Sequence, residues 1–215
     1  MIESPHASQP ILRAGLPISR AKATLILLHG RGGSASDILE LGKALASPDW
    51  AFLALQASQH TWYPNSFLAE RAQNEPWLTS ALNKVKQAVE EALVERAARS
   101  RVFIAGFSQG ACLATEFVGR HPSRYGGLLA FTGGLIGPIN EPIQLNGDLA
   151  GTPVLLSAGD PDPHVPWVRV EQSAELLRGM GAVVTLQRYP GKPHSIDRAE
   201  IEMGRQLLAA QGIDN

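Results

Sequence analysis

The sequence predicts an α/β protein built on one mostly parallel sheet with helices on both faces. Short apolar segments alternate with amphipathic helical patterns along most of the 215 residues, which is typical of repeated strand–helix–strand units. The apolar segments are hydrophobic at nearly every position, as expected of strands that are buried on both faces. The length suits a single domain, residues 1–215, with a full hydrophobic core.

One edge strand and six central strands are predicted. The edge strand covers residues 11–17 and is expected to pair in the antiparallel direction. The central strands are runs of apolar residues, and they are predicted in this order: 24–28, 51–55, 102–106, 128–132, 154–158 and 183–189.

The helices are predicted between these strands. A capping-box sequence at residues 34–37 starts the first helix, which should end near residue 46. The longest helix is expected over 76–98, because it starts with a proline and carries apolar residues at spacings of three and four. Further helices are predicted after Ser108, over 168–180 with Gly181 as a stop, and over 197–211.

Two connections are long for a compact domain. Residues 60–75 and 135–152 are rich in proline, asparagine and glycine. Segments of this kind either form binding loops or are ordinary surface loops.

Charge and composition exclude several function classes. Nineteen basic and twenty acidic side chains give a net charge of −1, so no general attraction to nucleic acid or to an anionic membrane is expected. The only cysteine, Cys112, cannot form an internal disulfide and fits a reducing compartment. Without a signal sequence or a long apolar run, the sequence predicts a cytoplasmic protein with no integral membrane association. A homodimer is left open.

The sequence Gly-Phe-Ser-Gln-Gly at residues 106–110 directly follows a predicted strand. This pattern is typical of a sharp strand-to-helix turn that exposes its serine as a nucleophile, because glycine tolerates the tight backbone. Ser108 is therefore a candidate nucleophile. The alternative is a serine that merely caps the following helix, since the five-residue pattern also arises by chance.

A serine nucleophile needs a base within hydrogen-bond reach and an acid that orients the base. Asp160 and Asp162 follow the strand at 154–158, and His194 follows the last strand. Because parallel strands end at the same edge of the sheet, these side chains should meet there in the chain order Ser, Asp, His. Alternatively, Asp162 makes an Asx turn before Pro163 and His194 is a solvated loop residue.

A glycine-rich turn at residues 29–33 follows the first central strand. The backbone N–H groups of Arg31 and Gln109 are expected to form an oxyanion hole there. In this role the backbone shape of the loop should matter more than its side chains. Phosphate binding is not favoured, because neither phosphate-binding glycine pattern is present.

Four segments resemble the motifs of the phospholipase/carboxylesterase family of small α/β-hydrolases, which includes acyl-protein thioesterases. They are His-Gly-Arg-Gly-Gly at 29–33, Gly-Phe-Ser-Gln-Gly-Ala at 106–111, Gly-Asp-Pro-Asp-Pro-His-Val-Pro at 159–166 and His-Ser at 194–195. The resemblance implies an α/β-hydrolase fold without a separate cap domain. It also implies Ser108 as nucleophile, His194 as general base and Asp162, rather than Asp160, as orienting acid. Residues 31–33 and 61–67 are more similar to the bacterial esterase branch than to the eukaryotic thioesterases.

The predicted activity is that of a serine carboxylesterase acting on small acyl esters. It would cleave short- to medium-chain carboxylic or thio esters through an acyl-enzyme, with no cofactor. The side chains expected to contact the acyl group are Trp62, Tyr63, Phe67 and Val165. No metal site is expected, because the histidines at 29, 60, 164 and 194 lack the close spacing of a zinc site.

Other activities remain open at this point. They are an acyl-protein thioesterase, a lysophospholipase, acyl transfer to an acceptor other than water, and a non-catalytic ligand receptor on the same scaffold. The receptor is disfavoured, since a binding protein does not need all three triad groups.

Overall fold

The computed structural model describes residues 4–95 and 97–212, and a seven-stranded sheet runs through its centre. The strand order is β1-β3-β2-β4-β5-β6-β7. Only β1 is antiparallel to its neighbour, and the other pairs are parallel. The strands are β1 (Ile11–Gly15), β2 (Thr24–Leu28), β3 (Ala51–Leu55), β4 (Val102–Phe107), β5 (Gly127–Phe131), β6 (Pro153–Asp160) and β7 (Val183–Pro190). The predicted α/β class and the mostly parallel sheet are confirmed.

Helices cover both faces of the sheet. They are α1 (Ala35–Leu45), α2 (Trp77–Val94), α3 (Gln109–Arg120), α4 (Trp167–Gly179) and α5 (Arg198–Ala209). Successive side chains of a strand point to opposite faces, so each central strand supplies two apolar layers. Leu27 and Phe103 pack in the layer under α1 and α5, whereas Ile26 and Ile104 pack in the layer under α2, α3 and α4.

Several element boundaries differ from the prediction. The helix expected over 76–98 ends at Val94. The chain is then extended at Ala98 and turns through a short 3-10 segment into β4. The first strand ends at Gly15, where φ is +75° and a side chain would collide with the Trp50 carbonyl. Strand β6 runs on to Asp160, since it pairs with β7 along its whole length.

The two long connections have different places in the fold. Residues 63–67 form one wall of a cleft above the carboxyl ends of the strands. The segment 135–152 packs inward only near its ends, where Leu135, Ile136 and Leu149 are buried and Arg169 donates to the Gly137 carbonyl at 2.9 Å, whereas most of residues 140–148 are exposed. This second segment does not line the cleft.

The helices in residues 4–95 and 97–212 include none that combines the length and the apolar character needed to span a membrane.

Candidate active site

Ser108 lies in the turn between β4 and α3. Its φ is +53° and its ψ is −118°, a backbone conformation that non-glycine residues adopt rarely and at a cost. The flanking glycines allow the close packing of this turn, because a Cβ on Gly106 would overlap the Gly110 backbone and one on Gly110 would overlap the Leu28 carbonyl. The turn therefore holds Ser108 at the carboxyl end of the sheet, with its hydroxyl facing the cleft.

Three side chains from separate strand ends form one hydrogen-bonded chain. His194 Nε2 lies 2.8 Å from Ser108 Oγ, and His194 Nδ1 lies 2.8 Å from Asp162 Oδ2. The Asp162 side chain is fully buried and that of His194 is mostly buried. With Nδ1–H donating to the carboxylate, Nε2 is free to accept the serine proton, which is the arrangement that activates a serine.

The environment of Asp162 keeps it ionised. Burial alone would raise the pKa of Asp162, but hydrogen bonds from the backbone N–H of His164, the ring of His194 and the backbone N–H of Val165 outweigh it and lower this pKa. Asp160 points elsewhere and forms an ion pair with Arg188. Of the two candidate acids, the structure brings only Asp162 to the imidazole.

A buried ion pair supports the segment that carries His194. The Lys192 ammonium lies 2.8 Å from a Glu200 oxygen, and the Glu200 carboxylate is fully buried. Glu200 also accepts hydrogen bonds from Ser157 Oγ at 2.7 Å and from the backbone N–H of Asp197 at 3.0 Å. The segment before His194 is thus tied to β6 and to the start of α5.

Two rings pack directly against His194. Its centroid is 4.8 Å from that of His164 in an edge-on arrangement and 5.2 Å from that of Phe107. Neither ring was among the predicted site residues. Phe107 occupies the variable position before Ser108, and His164 lies two residues after Asp162, so both were within the recognised motifs.

The glycine-rich loop after β2 approaches Ser108 closely. A Cβ built on Gly30 would lie 3.5 Å from the Ser108 Cβ. Within the described ranges, the backbone N–H groups of Arg31 and Gln109 have no protein acceptor, and Gln109 is the first residue of α3, where helical N–H groups are unpaired. Both donors border the cleft, as an oxyanion hole requires.

His29 shapes this loop from below. Its Nδ1–H donates to the Gly30 carbonyl at 2.7 Å, and its Nε2 accepts from the Ala57 N–H at 3.1 Å. Because the ring is fully buried, burial lowers its pKa despite the bond to Gly30. His29 is therefore a neutral structural residue that shapes this loop.

We expect acid to destabilise the fold in part through His29. Its pKa is below the ordinary value of 6.5, so the unfolded chain takes up a proton that the folded chain refuses. The free energy of unfolding should therefore fall as pH drops below 6.5, by at most about 1.4 kcal/mol per pH unit for this group. Urea unfolding of the wild type and of His29→Gln between about pH 5 and pH 8 measures the slope.

The variant is expected to be less stable but to show a shallower dependence on pH. Burial lowers the pKa of His6 as well, so part of the slope should remain. An unchanged slope in His29→Gln would mean that His29 takes up no extra proton on unfolding.

The cleft has a volume of about 510 Å³ and is within the size range of small-molecule sites. Tyr63, Phe67 and Val165, the side chains that the sequence predicts to contact the substrate, line it together with Cys112 on the helix after Ser108. Trp62 is a correction: it is fully buried, and its indole N–H donates to the His29 carbonyl at 2.8 Å. Trp62 supports the glycine-rich loop from the core and does not line the cleft.

The Cys112 thiol is an unsuitable nucleophile. It is buried, and burial raises its pKa to about 12, so the thiol stays protonated in neutral solution. Cys112 therefore serves as a small apolar group beside Ser108.

Comparison with known proteins places this chain in a family. Residues 13–210 match the profile of the phospholipase/carboxylesterase family. A crystal structure of a phospholipase/carboxylesterase from Dyadobacter fermentans superposes with a TM-score of 0.90 and 44% sequence identity, covering 94% of this chain and 97% of that one.

Two relatives found by sequence comparison are named for different activities. The putative hydrolase MhqD of Bacillus subtilis is 30% identical over 85% of this chain and 90% of its own length. Acyl-protein thioesterase 1 of Gibberella zeae is 31% identical over 60% of this chain, and the match spans only 54% of the fungal protein. The family profile covers nearly the whole chain. The chain belongs to the phospholipase/carboxylesterase family of α/β-hydrolases and is an ester-hydrolysing enzyme.

Proposed function

We propose that this enzyme is a serine carboxylesterase that cleaves short- to medium-chain acyl esters through an acyl-enzyme on Ser108. The observation that carries this assignment is the continuous hydrogen-bonded chain from Asp162 through His194 to Ser108, with both distances 2.8 Å. The whole chain acts as one catalytic domain in this scheme, since both apolar layers pack on the same sheet.

Acylation begins when His194 Nε2 takes the Ser108 hydroxyl proton as Oγ attacks the ester carbonyl carbon. The carbonyl oxygen becomes an oxyanion, which the N–H groups of Arg31 and Gln109 stabilise. The tetrahedral intermediate then expels the alcohol or thiol, which receives the proton from His194. Deacylation repeats these steps with water in place of Ser108, and it releases the carboxylic acid and the free serine.

The cleft supports a substrate of limited size. Its apolar wall is formed by buried side chains, Tyr63 and Phe67 on one segment and Val165 on another. An acyl chain that packs against these side chains buries apolar surface, which favours chains of several carbons over acetyl. The volume of about 510 Å³ suits a small-molecule ester.

Thioester hydrolysis is a second candidate, because one relative is an acyl-protein thioesterase. An oxygen ester and a thioester present the same carbonyl to Ser108 and differ in the leaving group. The triad geometry serves both, so the choice rests on the leaving group that the open side of the cleft accepts.

A fluorophosphonate probe and a series of esters test these assignments. We expect the probe to attach to Ser108, detected by mass spectrometry of the peptide, and kcat/KM for p-nitrophenyl esters to peak at an intermediate chain length. A higher kcat/KM for an acyl thioester of equal chain length would favour the thioesterase. If the probe leaves Ser108 unmodified, the acyl-enzyme mechanism is wrong.

A further inference from the structure

We propose that Arg31 is a positioning residue that determines acyl-chain selectivity, because its guanidinium fixes the 63–67 wall of the cleft. The role is separate from that of the Arg31 backbone N–H, and it rests on the proposed esterase function of the cleft.

The Arg31 guanidinium bridges the oxyanion loop and the cleft wall. It donates to three successive backbone carbonyls: those of Tyr63 and Pro64 at 2.9 Å each and that of Asn65 at 2.8 Å. A planar guanidinium with five fixed N–H groups suits such convergent contacts, and a lysine ammonium does not reproduce them. The three carbonyls belong to the segment that also carries Phe67.

The inner side of the same wall is held independently. The buried Gln109 amide accepts from the Trp62 N–H at 2.9 Å and donates to the Tyr63 carbonyl at 2.8 Å. Asn74 accepts from the Asn65 N–H at 2.9 Å. These bonds do not involve the Arg31 side chain, so we expect an Arg31 variant to keep the fold of the wall and to lose only its outer support.

The oxyanion loop also has backbone anchors of its own. The Gly32 N–H donates to the His60 carbonyl at 2.8 Å, and the His60 ring bonds to the Gly33 carbonyl at 2.7 Å. The Arg31 side chain thus binds the wall, while other contacts hold its own loop in place.

Chain length should reveal the role of this contact. Without the Arg31 contacts the outer part of the wall is less constrained, and restricting its motion when an acyl chain packs against it lowers affinity. A chain long enough to reach the wall suffers this loss, whereas an acetyl group attached to Ser108 makes little use of the wall. The loss should appear mainly in KM for the longer ester.

The test compares kcat and KM for p-nitrophenyl acetate, butyrate and hexanoate in Arg31→Met, Arg31→Lys and the wild type. We expect the hexanoate-to-acetate ratio of kcat/KM to fall by about three- to tenfold in Arg31→Met. Arg31→Lys keeps the charge but not the fork, so it should also lower the ratio. The control is Arg205→Met, because Arg205 also donates to a backbone carbonyl, that of Ala44, at 2.6 Å, but reaches from α5 to α1, away from the cleft.

Arg205→Met should keep the wild-type ratio. An equal loss for all three esters, or an unchanged ratio in Arg31→Met, would overturn the role of the wall contact. Full wild-type selectivity in Arg31→Lys would also overturn it, since charge alone would then suffice. Fluorophosphonate labelling of Ser108 in each variant separates these results from failure of the esterase assignment: an unlabelled wild type contradicts the mechanism itself.

Discussion

Replacing Ser108 with alanine is expected to lower kcat for ester hydrolysis by at least about 10⁴-fold. The substitution removes the attacking oxygen, while His194, Asp162 and the oxyanion donors are expected to stay in place. Only the slower attack of water on the bound ester then remains, assisted by the residual site. Steady-state kinetics on the best ester of the series measures the loss.

A matched control for this variant is Ser100→Ala. Ser100 is exposed in the turn before β4, at the opposite end of the strand that leads to Ser108. It should keep wild-type turnover. Residual activity of a few per cent or more in Ser108→Ala, measured on protein free of wild-type carry-over, would contradict a covalent role for this serine.

The second large effect is expected at Asp162. In Asp162→Asn the amide no longer fixes the Nδ1–H tautomer of His194, so kcat should fall by about 10⁴-fold, as in other triads. Asp160→Asn is the natural control, because Asp160 pairs with the half-exposed Arg188 and such pairs contribute little. It should change kcat by less than about threefold. A larger loss in Asp160→Asn than in Asp162→Asn would reverse the assignment of the acid.

The activity of the wild type should also depend on pH through the triad. Hydrogen bonds to the Asp162 carboxylate lower its pKa, so it protonates at a lower pH than an ordinary aspartate does. A general base must be unprotonated to accept the serine proton, so kcat/KM should fall in acid in a single step. Activity that stays constant down to about pH 4 would exclude an imidazole base.

The parts of the site that could be predicted from sequence are those fixed by strand ends. Ser108, Asp162 and His194 each follow a separate apolar strand, and parallel strands deliver such residues to one edge. The choice of Asp162 over Asp160 needed the family resemblance, since both aspartates lie close to the same strand end. The structure separates them by orientation, one toward His194 and the other toward Arg188.

The parts that could not be predicted depend on irregular segments and distant pairs. Trp62 and Tyr63 are adjacent in a loop without periodicity, so nothing in the sequence tells which one faces the core. Arg31 contacts Pro64 and its neighbours, which lie more than thirty residues further along the chain. Sequence patterns do not indicate contacts between such distant segments. The pairing of Lys192 with Glu200 likewise appears only once α5 is placed.

The buried Glu200 carboxylate has a consequence for how the enzyme loses activity. It completes the capping box of α5 with Asp197 and also holds Lys192, two residues before the general base. Unwinding the first turn of this helix would therefore release the imidazole from its aligned position while the sheet was still intact. Helix α5 contributes no side chain to the cleft, yet we expect fraying of its first turn to lower activity.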